Sequence, residues 1–222
     1  MNTFLYIFLG MLDSLSSFVL MFAIFSFPLR QYFKEVAAAS LFISLVSYLN
    51  RNVLSIQNWD MAVQFFFYIA ILVVIFKVAL PYAIDLASVG YLTFIGIQFI
   101  VYPLLLLTPI VSTNDAQELT GFGTSIIQIT TDVVCYLVAF LIYRFNLGFS
   151  HISWPPHDSF LLYKLKGVKL FWSIVSTLAA LAICSTMYWI LNYHNGIYIV
   201  IPTVLGSLAL LLYFSYRRDY GQ

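Results

Sequence analysis

Two aspartates, Asp13 and Asp132, lie inside long apolar runs of this sequence. An ionisable side chain within a membrane-spanning segment is costly and is by default a candidate functional residue. Neither run has a basic residue at the same level that would pair with the carboxyl group. In a low-dielectric environment a lone carboxyl group is more easily protonated than ionised. These residues therefore offer the chemistry of a carboxyl group that binds a proton or contacts a polar ligand.

A polar stripe accompanies the second of these aspartates. Thr124, Gln128 and Asp132 are four residues apart, so a helix places them on one face. Gln64 and Gln98 lie in the outer halves of two other apolar runs. Lipid cannot satisfy such groups, which must face protein or water. Two interpretations stay open: a polar cavity, open to the outside and lined by Gln64, Gln98, Gln128 and Asp132, or hydrogen bonds between helices.

Two further residues belong to the candidate ligand-binding set. Asp13 either contributes to the same site or bonds to the neighbouring hydroxyls of Ser14, Ser16 and Ser17. Arg51 either extends toward the membrane surface or meets an anionic ligand. The complete candidate set is Gln64, Gln98, Gln128, Asp132, Asp13 and Arg51.

The composition excludes two broad classes of protein. Of the 222 residues, 62% are hydrophobic and 9% are charged, and the mean hydropathy is +0.95. Soluble domains carry about 25% charged residues, so this chain cannot cover a water-facing surface. Its 10 Lys and Arg residues balance 9 Asp and Glu residues, which leaves no basic field for binding a nucleic acid.

The apolar runs predict an all-α, polytopic transmembrane bundle of about seven spans, with the N-terminus outside and the C-terminus in the cytoplasm. We expect spans at Phe4–Phe27, Val36–Leu54, Met61–Phe76, Tyr82–Leu107, Gly121–Tyr143, Leu170–Leu191 and Ile197–Tyr216. This arrangement leaves Arg51 as the basic residue outside. It places the others in the cytoplasm, namely Arg30, Lys34, Lys77, Arg144, Lys164, Lys166, Lys169, Arg217 and Arg218. Such a bias follows the positive-inside rule of the bacterial plasma membrane.

We expect a single integral membrane domain over residues 1–222, with no attached kinase, ATPase or DNA-binding domain. The longest predicted connection, Phe145–Lys169, is cytoplasmic and has room for a structured loop or a surface where a partner docks. The motifs HExxH and GxSxG and the P-loop are absent from the sequence. No Cys/His cluster indicates a metal. We therefore predict neither an enzyme, nor a metal site, nor a cofactor.

The first half of the chain resembles a known family of membrane sensors. Its characteristic segments are LGMLDS (9–14), FPLR (27–30) and LVSYLNR (45–51). Over about residues 1–110 it is similar to the membrane sensor region of peptide-responsive histidine kinases, the autoinducer-type sensors of Gram-positive, spore-forming bacteria. The resemblance implies six or seven spans, an outer N-terminus and an extracellular peptide ligand. The kinase of that family is missing from this sequence.

These features favour a receptor or sensor-like membrane protein without its own output domain, which signals to a separate partner. The alternative is a small transporter, either a proton-linked carrier that uses Asp13 or Asp132 or the substrate-binding subunit of an energy-coupled importer. A carrier typically shows inverted repeats or broken helices, and neither is evident in the sequence. A third alternative is an assembly or scaffold subunit that binds no ligand.

Overall fold

The computed structural model describes residues 3–112, 121–150, 152 and 196–220, and every regular element within them is helical. This confirms the all-α class. Three of the described helices are long and apolar enough to cross a membrane, which indicates a membrane protein. The predicted span Leu170–Leu191 lies outside the described residues, and so does most of the predicted loop Phe145–Lys169.

Six α-helices form the described part of the chain. They are α1 (Thr3–Ile24), α2 (Phe33–Tyr48), α3 (Asp60–Val74), α4 (Leu80–Leu106), α5 (Phe122–Arg144) and α6 (Gly196–Tyr220). Helices therefore occupy six of the seven predicted spans. The helices that meet the length and composition of a membrane span are α1, α4 and α5. Between α2 and α3 the chain forms a π-helical turn at Leu49–Val53 and a 3-10 turn at Gln57–Trp59.

Helix α1 is the centre of the packing, because it contacts α2, α4 and α5. The hydroxyl of Ser44 on α2 donates to the carbonyl of Ile7 on α1 at 2.6 Å, so α2 runs antiparallel to α1. Against α4, the close approach is made by Gly90, where an added Cβ would lie 3.1 Å from the Cα of Met21. Helix α4 in turn contacts α3, α5 and α6.

Aromatic side chains fill the core between α1, α3 and α4. Phe18 packs edge-on against Tyr68 with ring centroids 5.0 Å apart, and Tyr68 lies 5.3 Å from Tyr91. Nearer the end of α1, Phe22 packs on Phe76 at 5.3 Å. Such ring pairs add about 0.5–1.5 kcal/mol each beyond their area burial. They link α1 to α3 through the core, with the two helices parallel.

The ends of α1 and α5 have the same geometry. Ser26 (φ 54°) and Asn146 (φ 52°) each adopt the left-handed conformation directly after the helix. In each case the next amide reaches back five residues, from Phe27 to Phe22 and from Leu147 to Ile142. These are Schellman caps, which satisfy the last carbonyls of a helix.

The chain after α5 packs directly on the end of α1. The amide of Phe149 donates to the carbonyl of Ile24 at 2.6 Å. Gly148 permits this contact, since an added Cβ would lie 2.3 Å from Ser26 Oγ and 2.7 Å from the carbonyl oxygen of Ala23. Helices α1 and α5 are thus parallel neighbours whose ends are held at one level, which sets the register of the side chains along them.

Candidate functional site

Helices α1 and α5 are bridged by two carboxyl groups about midway along their length. Gln128 Nε2 donates to Asp13 Oδ2 at 2.9 Å. Ser16 Oγ lies 2.8 Å from Asp132 Oδ1 and also 2.8 Å from the backbone carbonyl oxygen of Asp13, and its one hydrogen can be donated to either. Each aspartate thus has a donor side chain on the opposite helix. We name Asp13 and Asp132 the carboxyl pair, and Gln128 and Ser16 are its two donors. The structure brings Asp13 together with Gln128 and Asp132, which are two members of the polar stripe on α5.

The two carboxyl groups of the pair are also close to one another. Asp13 and Asp132 lie within hydrogen-bonding reach of each other. Asp132 is 3% exposed, and Asp13 is half-buried. The second carboxyl oxygen of Asp132, Oδ2, is buried and accepts no hydrogen bond from the described residues. The hydroxyl of Thr131 is buried and unpartnered in the same sense.

A second polar cluster, the Asp60 hub, lies where α2 ends and α3 begins. Asp60 is 0% exposed, and its carboxylate accepts four side-chain hydrogen bonds. The donors are Ser47 Oγ at 2.9 Å, Asn50 Nδ2 at 3.2 Å, Arg51 Nε at 2.5 Å and Gln64 Nε2 at 2.8 Å. A buried charge needs this degree of pairing and hydrogen bonding. The Asp60 carboxylate therefore has the hydrogen-bond partners that a buried charge requires.

Local backbone structure assembles this hub. The π-helical turn at Leu49–Val53 carries two donors, Asn50 and Arg51, and the amide of Ile56 returns to the carbonyl of Asn50 at 2.9 Å. Ser55 takes a positive φ of 55°, which reverses the chain. Helix α3 then begins at Asp60, where a negative charge interacts favourably with the helix dipole.

The predicted residues separate between these two clusters. Arg51 and Gln64 join the Asp60 hub, whereas Asp13 and Asp132 form the carboxyl pair, to which Gln128 donates. Gln98 is half-buried on α4 and takes part in neither set of hydrogen bonds. Arg51, for which the sequence left membrane-surface and ligand contacts open, forms an ion pair within the chain.

Asp60 is the functional candidate that sequence reasoning missed. It precedes the predicted third span by one residue, where an acidic residue is ordinary at the start of a helix. The available signal was its spacing of four from Gln64, which places both side chains on one face. Asn50 and Arg51, which donate to Asp60, lie in the connection between α2 and α3. The sequence did not predict the turns of that connection.

Tyr6 of α1 lies between the two clusters. Its hydroxyl is within hydrogen-bonding reach of Ser47, a member of the hub, and its ring packs edge-on against Tyr48 at 5.6 Å. Asp13 of the carboxyl pair lies further along the same helix. Polar groups therefore continue from the α2–α3 connection into the interior between α1 and α5.

Comparison of the chain with protein-family models, with curated proteins and with solved structures gave no match. The function is therefore inferred from the two polar clusters and their surroundings.

Proposed function

We propose that this protein is a receptor of the sensor type in the bacterial plasma membrane, which binds an extracellular ligand and signals to a separate partner. In this proposal the chain has seven spans, an outer N-terminus and a cytoplasmic C-terminus. The distribution of Lys and Arg over the loops and the three membrane-length helices support it. The α2–α3 connection then faces the outside, and the capped ends of α1 and α5 face the cytoplasm.

The observation that carries the proposal is the surface around the Asp60 hub. The Arg51 side chain remains 22% exposed although its Nε is bonded to Asp60. A guanidinium group has further N–H donors that suit a carboxylate. Around it the connection exposes a row of large apolar side chains, namely Leu49, Val53, Leu54, Ile56 and Trp59. One cationic donor within an apolar rim suits a hydrophobic peptide that carries a carboxylate.

The path of the signal follows from the packing of α1 on α5. In this proposal, a ligand that binds at the hub changes the packing of α2 against α1, since Tyr6 and Ser44 join these helices near the hub. Helix α1 is bonded to α5 through the carboxyl pair and again through Phe149. Phe149 itself belongs to the predicted Phe145–Lys169 loop, which we propose as the docking surface of the partner.

Photo-crosslinking tests the proposal. A benzophenone amino acid at Trp59, which is 66% exposed, is placed in cells that are then exposed to culture medium conditioned by the source bacterium. We expect a covalently captured peptide in the mass spectrum, and we expect Arg51→Ala to reduce its yield at least tenfold. The matched control carries the same amino acid at Tyr143, which is 74% exposed at the opposite end of the bundle.

Equal capture at both positions, or capture that Arg51→Ala leaves unchanged, would contradict the receptor site. Variants Gln128→Ala and Asp132→Ala extend the test inward. Unchanged capture in both would restrict the ligand to the hub and would remove the carboxyl pair from the binding site.

The carboxyl pair favours a second candidate function, a small proton-linked transporter. Paired carboxyl groups in the interior of a membrane bundle are a means of carrying protons. In vesicles that hold a pH-sensitive dye, an imposed pH gradient should then drive proton flux that Asp13→Asn and Asp132→Asn both abolish. Flux that survives both variants, or no flux above that of empty vesicles, removes this candidate.

A further inference from the structure

The carboxyl pair joins α1 to α5, and its hydrogen bonds are one donor hydrogen short. Asp13 accepts from Gln128, and Asp132 accepts from Ser16 when the single hydroxyl hydrogen of Ser16 points at it rather than at the backbone carbonyl of Asp13. The two carboxyl groups then meet each other, and Asp132 Oδ2 has no donor among the described residues. A buried acceptor without a partner is destabilising. A single proton between the carboxyl groups supplies the missing donor.

Two ionised carboxylates in contact would repel strongly in this interior. Like charges a hydrogen bond apart do not both ionise readily, and such a pair shares one proton. The titratable or charged side chains that interact with the pair from the described helices are Tyr6, Arg51, Tyr68, Cys135 and Tyr136. Arg51 is the cation among these, and its Nε is already bonded to Asp60.

Two protons would fit less well than one. Gln128 and Ser16 each direct a donor at the pair, and donors stabilise an ionised carboxylate. With one proton, one group is the acid and the other is the anion, and all the hydrogen bonds are used. Asp13 is half-buried and is the more accessible of the two groups, whereas Asp132 is enclosed.

We infer that Asp13 and Asp132 form one proton-binding site, shared by α1 and α5, which holds a single proton between two carboxyl groups. The ligand is a proton, and no covalent bond other than O–H is made or broken when it binds. The inference goes beyond the receptor proposal and does not depend on it, because the site is defined by the two helices alone.

Infrared spectroscopy of the full chain in vesicles of phosphatidylethanolamine and phosphatidylglycerol tests this site. A protonated carboxyl group has a C=O stretching band that is separate from the bands of carboxylates and that shifts in D₂O. We expect this band at neutral pH in the unaltered protein and in the control Glu35→Gln, which removes an exposed carboxyl group. We expect its loss in Asp13→Asn and in Asp132→Asn, because an asparagine amide donates the hydrogen that the proton supplied.

Aspartate labelled with ¹³C at its carboxyl carbon provides a measurement that needs no variant. The band should move with the label, which assigns it to aspartate, and it should disappear on titration to alkaline pH. Absence of the band at neutral pH, or its survival in both asparagine variants, would overturn the inference. Carboxylate bands that shift when Na⁺ replaces K⁺, with no protonated band, would overturn it in favour of a metal cation site. Because peptide capture is not part of this measurement, its failure and the failure of the receptor proposal are distinguishable.

Discussion

Arg51 Nε donates to Asp60 Oδ2 at 2.5 Å, and the two residues lie on opposite sides of the connection between α2 and α3. Asp60 is fully enclosed and accepts from three further side chains, so the pair is part of a network. A buried pair contributes little net stability compared with apolar residues, but losing one partner strands the other groups. The hub therefore holds α2 and α3 in one arrangement.

Replacing Asp60 should strongly destabilise the protein. Asp60→Ala removes the acceptor of Arg51, Asn50 and Ser47, and we expect a loss of about 3–5 kcal/mol in the free energy of unfolding. Arg51→Ala should cost less, because three donors remain on Asp60. The measurement is reversible unfolding of the reconstituted protein in denaturant, followed by circular dichroism.

The control for this comparison is Glu35→Gln, which removes an exposed carboxylate from the first turn of α2. We expect a change within about 0.5 kcal/mol. If Asp60→Ala proved as mild as this control, the hub would not hold α2 to α3.

Two glycines should respond in opposite directions to the same substitution. At Gly90 an added Cβ would lie 2.1 Å from Met21 Cγ and 3.1 Å from its Cα, so α1 and α4 must separate. We expect Gly90→Ala to cost about 1–3 kcal/mol. At Gly206 on α6 an added Cβ meets nothing within 4 Å, and Gly206→Ala should gain up to about 1 kcal/mol from helix propensity. Thermal unfolding of both variants checks the pair, and a stabilised Gly90→Ala would refute the close contact of α1 with α4.

Two serines on α2 allow a hydrogen bond between helices to be compared with a hydrogen bond within one helix. Ser44 donates to the carbonyl of Ile7 on α1, whereas Ser40 donates to the carbonyl of Val36 on its own helix. Interhelical polar contacts in membranes contribute about 0.6 kcal/mol on average. We expect Ser44→Ala to lose about that amount and Ser40→Ala to lose less. Denaturant unfolding of the two variants decides the order, and the reverse order would show that the Ser44 hydrogen bond does not hold α2 to α1.

Apolar runs were sufficient to predict where the helices lie. A run of membrane length must satisfy its backbone internally, so a helix is expected wherever such a run occurs. Helix α5 begins at Phe122 and ends at Arg144, within one residue of the span expected from Gly121 to Tyr143. The seven-span count and the orientation of the termini remain predictions.

Helix neighbours could not be predicted in the same way. The sequence placed Asp13 and Asp132 at similar depth in separate spans, but runs that are apolar nearly all round do not indicate which faces meet. Their contact depends on the register that Phe149 and Gly148 set at the end of α1. The Asp60 hub depends on a π-helical turn, and no pattern of residue types predicted that turn.

The last prediction concerns whether α2 crosses the membrane. Its 16 residues span about 24 Å at 1.5 Å per residue, which is less than the hydrocarbon core of about 30 Å. The π-helical turn extends the helical path to Val53, so we expect Glu35 and Asn52 to reach opposite sides. The two cysteines, Cys135 and Cys184, are first replaced by alanine. In that background Glu35→Cys and Asn52→Cys are made one at a time. The side chains of Glu35 and Asn52 are both exposed.

A membrane-impermeant maleimide should label Asn52→Cys in intact cells and should label Glu35→Cys only after the cells are made permeable. The difference follows from the positive-inside arrangement, in which Lys34 is held in the cytoplasm and the Asp60 hub faces outside. Labelling of both cysteines from outside would mean that α2 does not span. Labelling of neither cysteine before the cells are made permeable would place the hub on the cytoplasmic side, and the receptor proposal would lose its extracellular site.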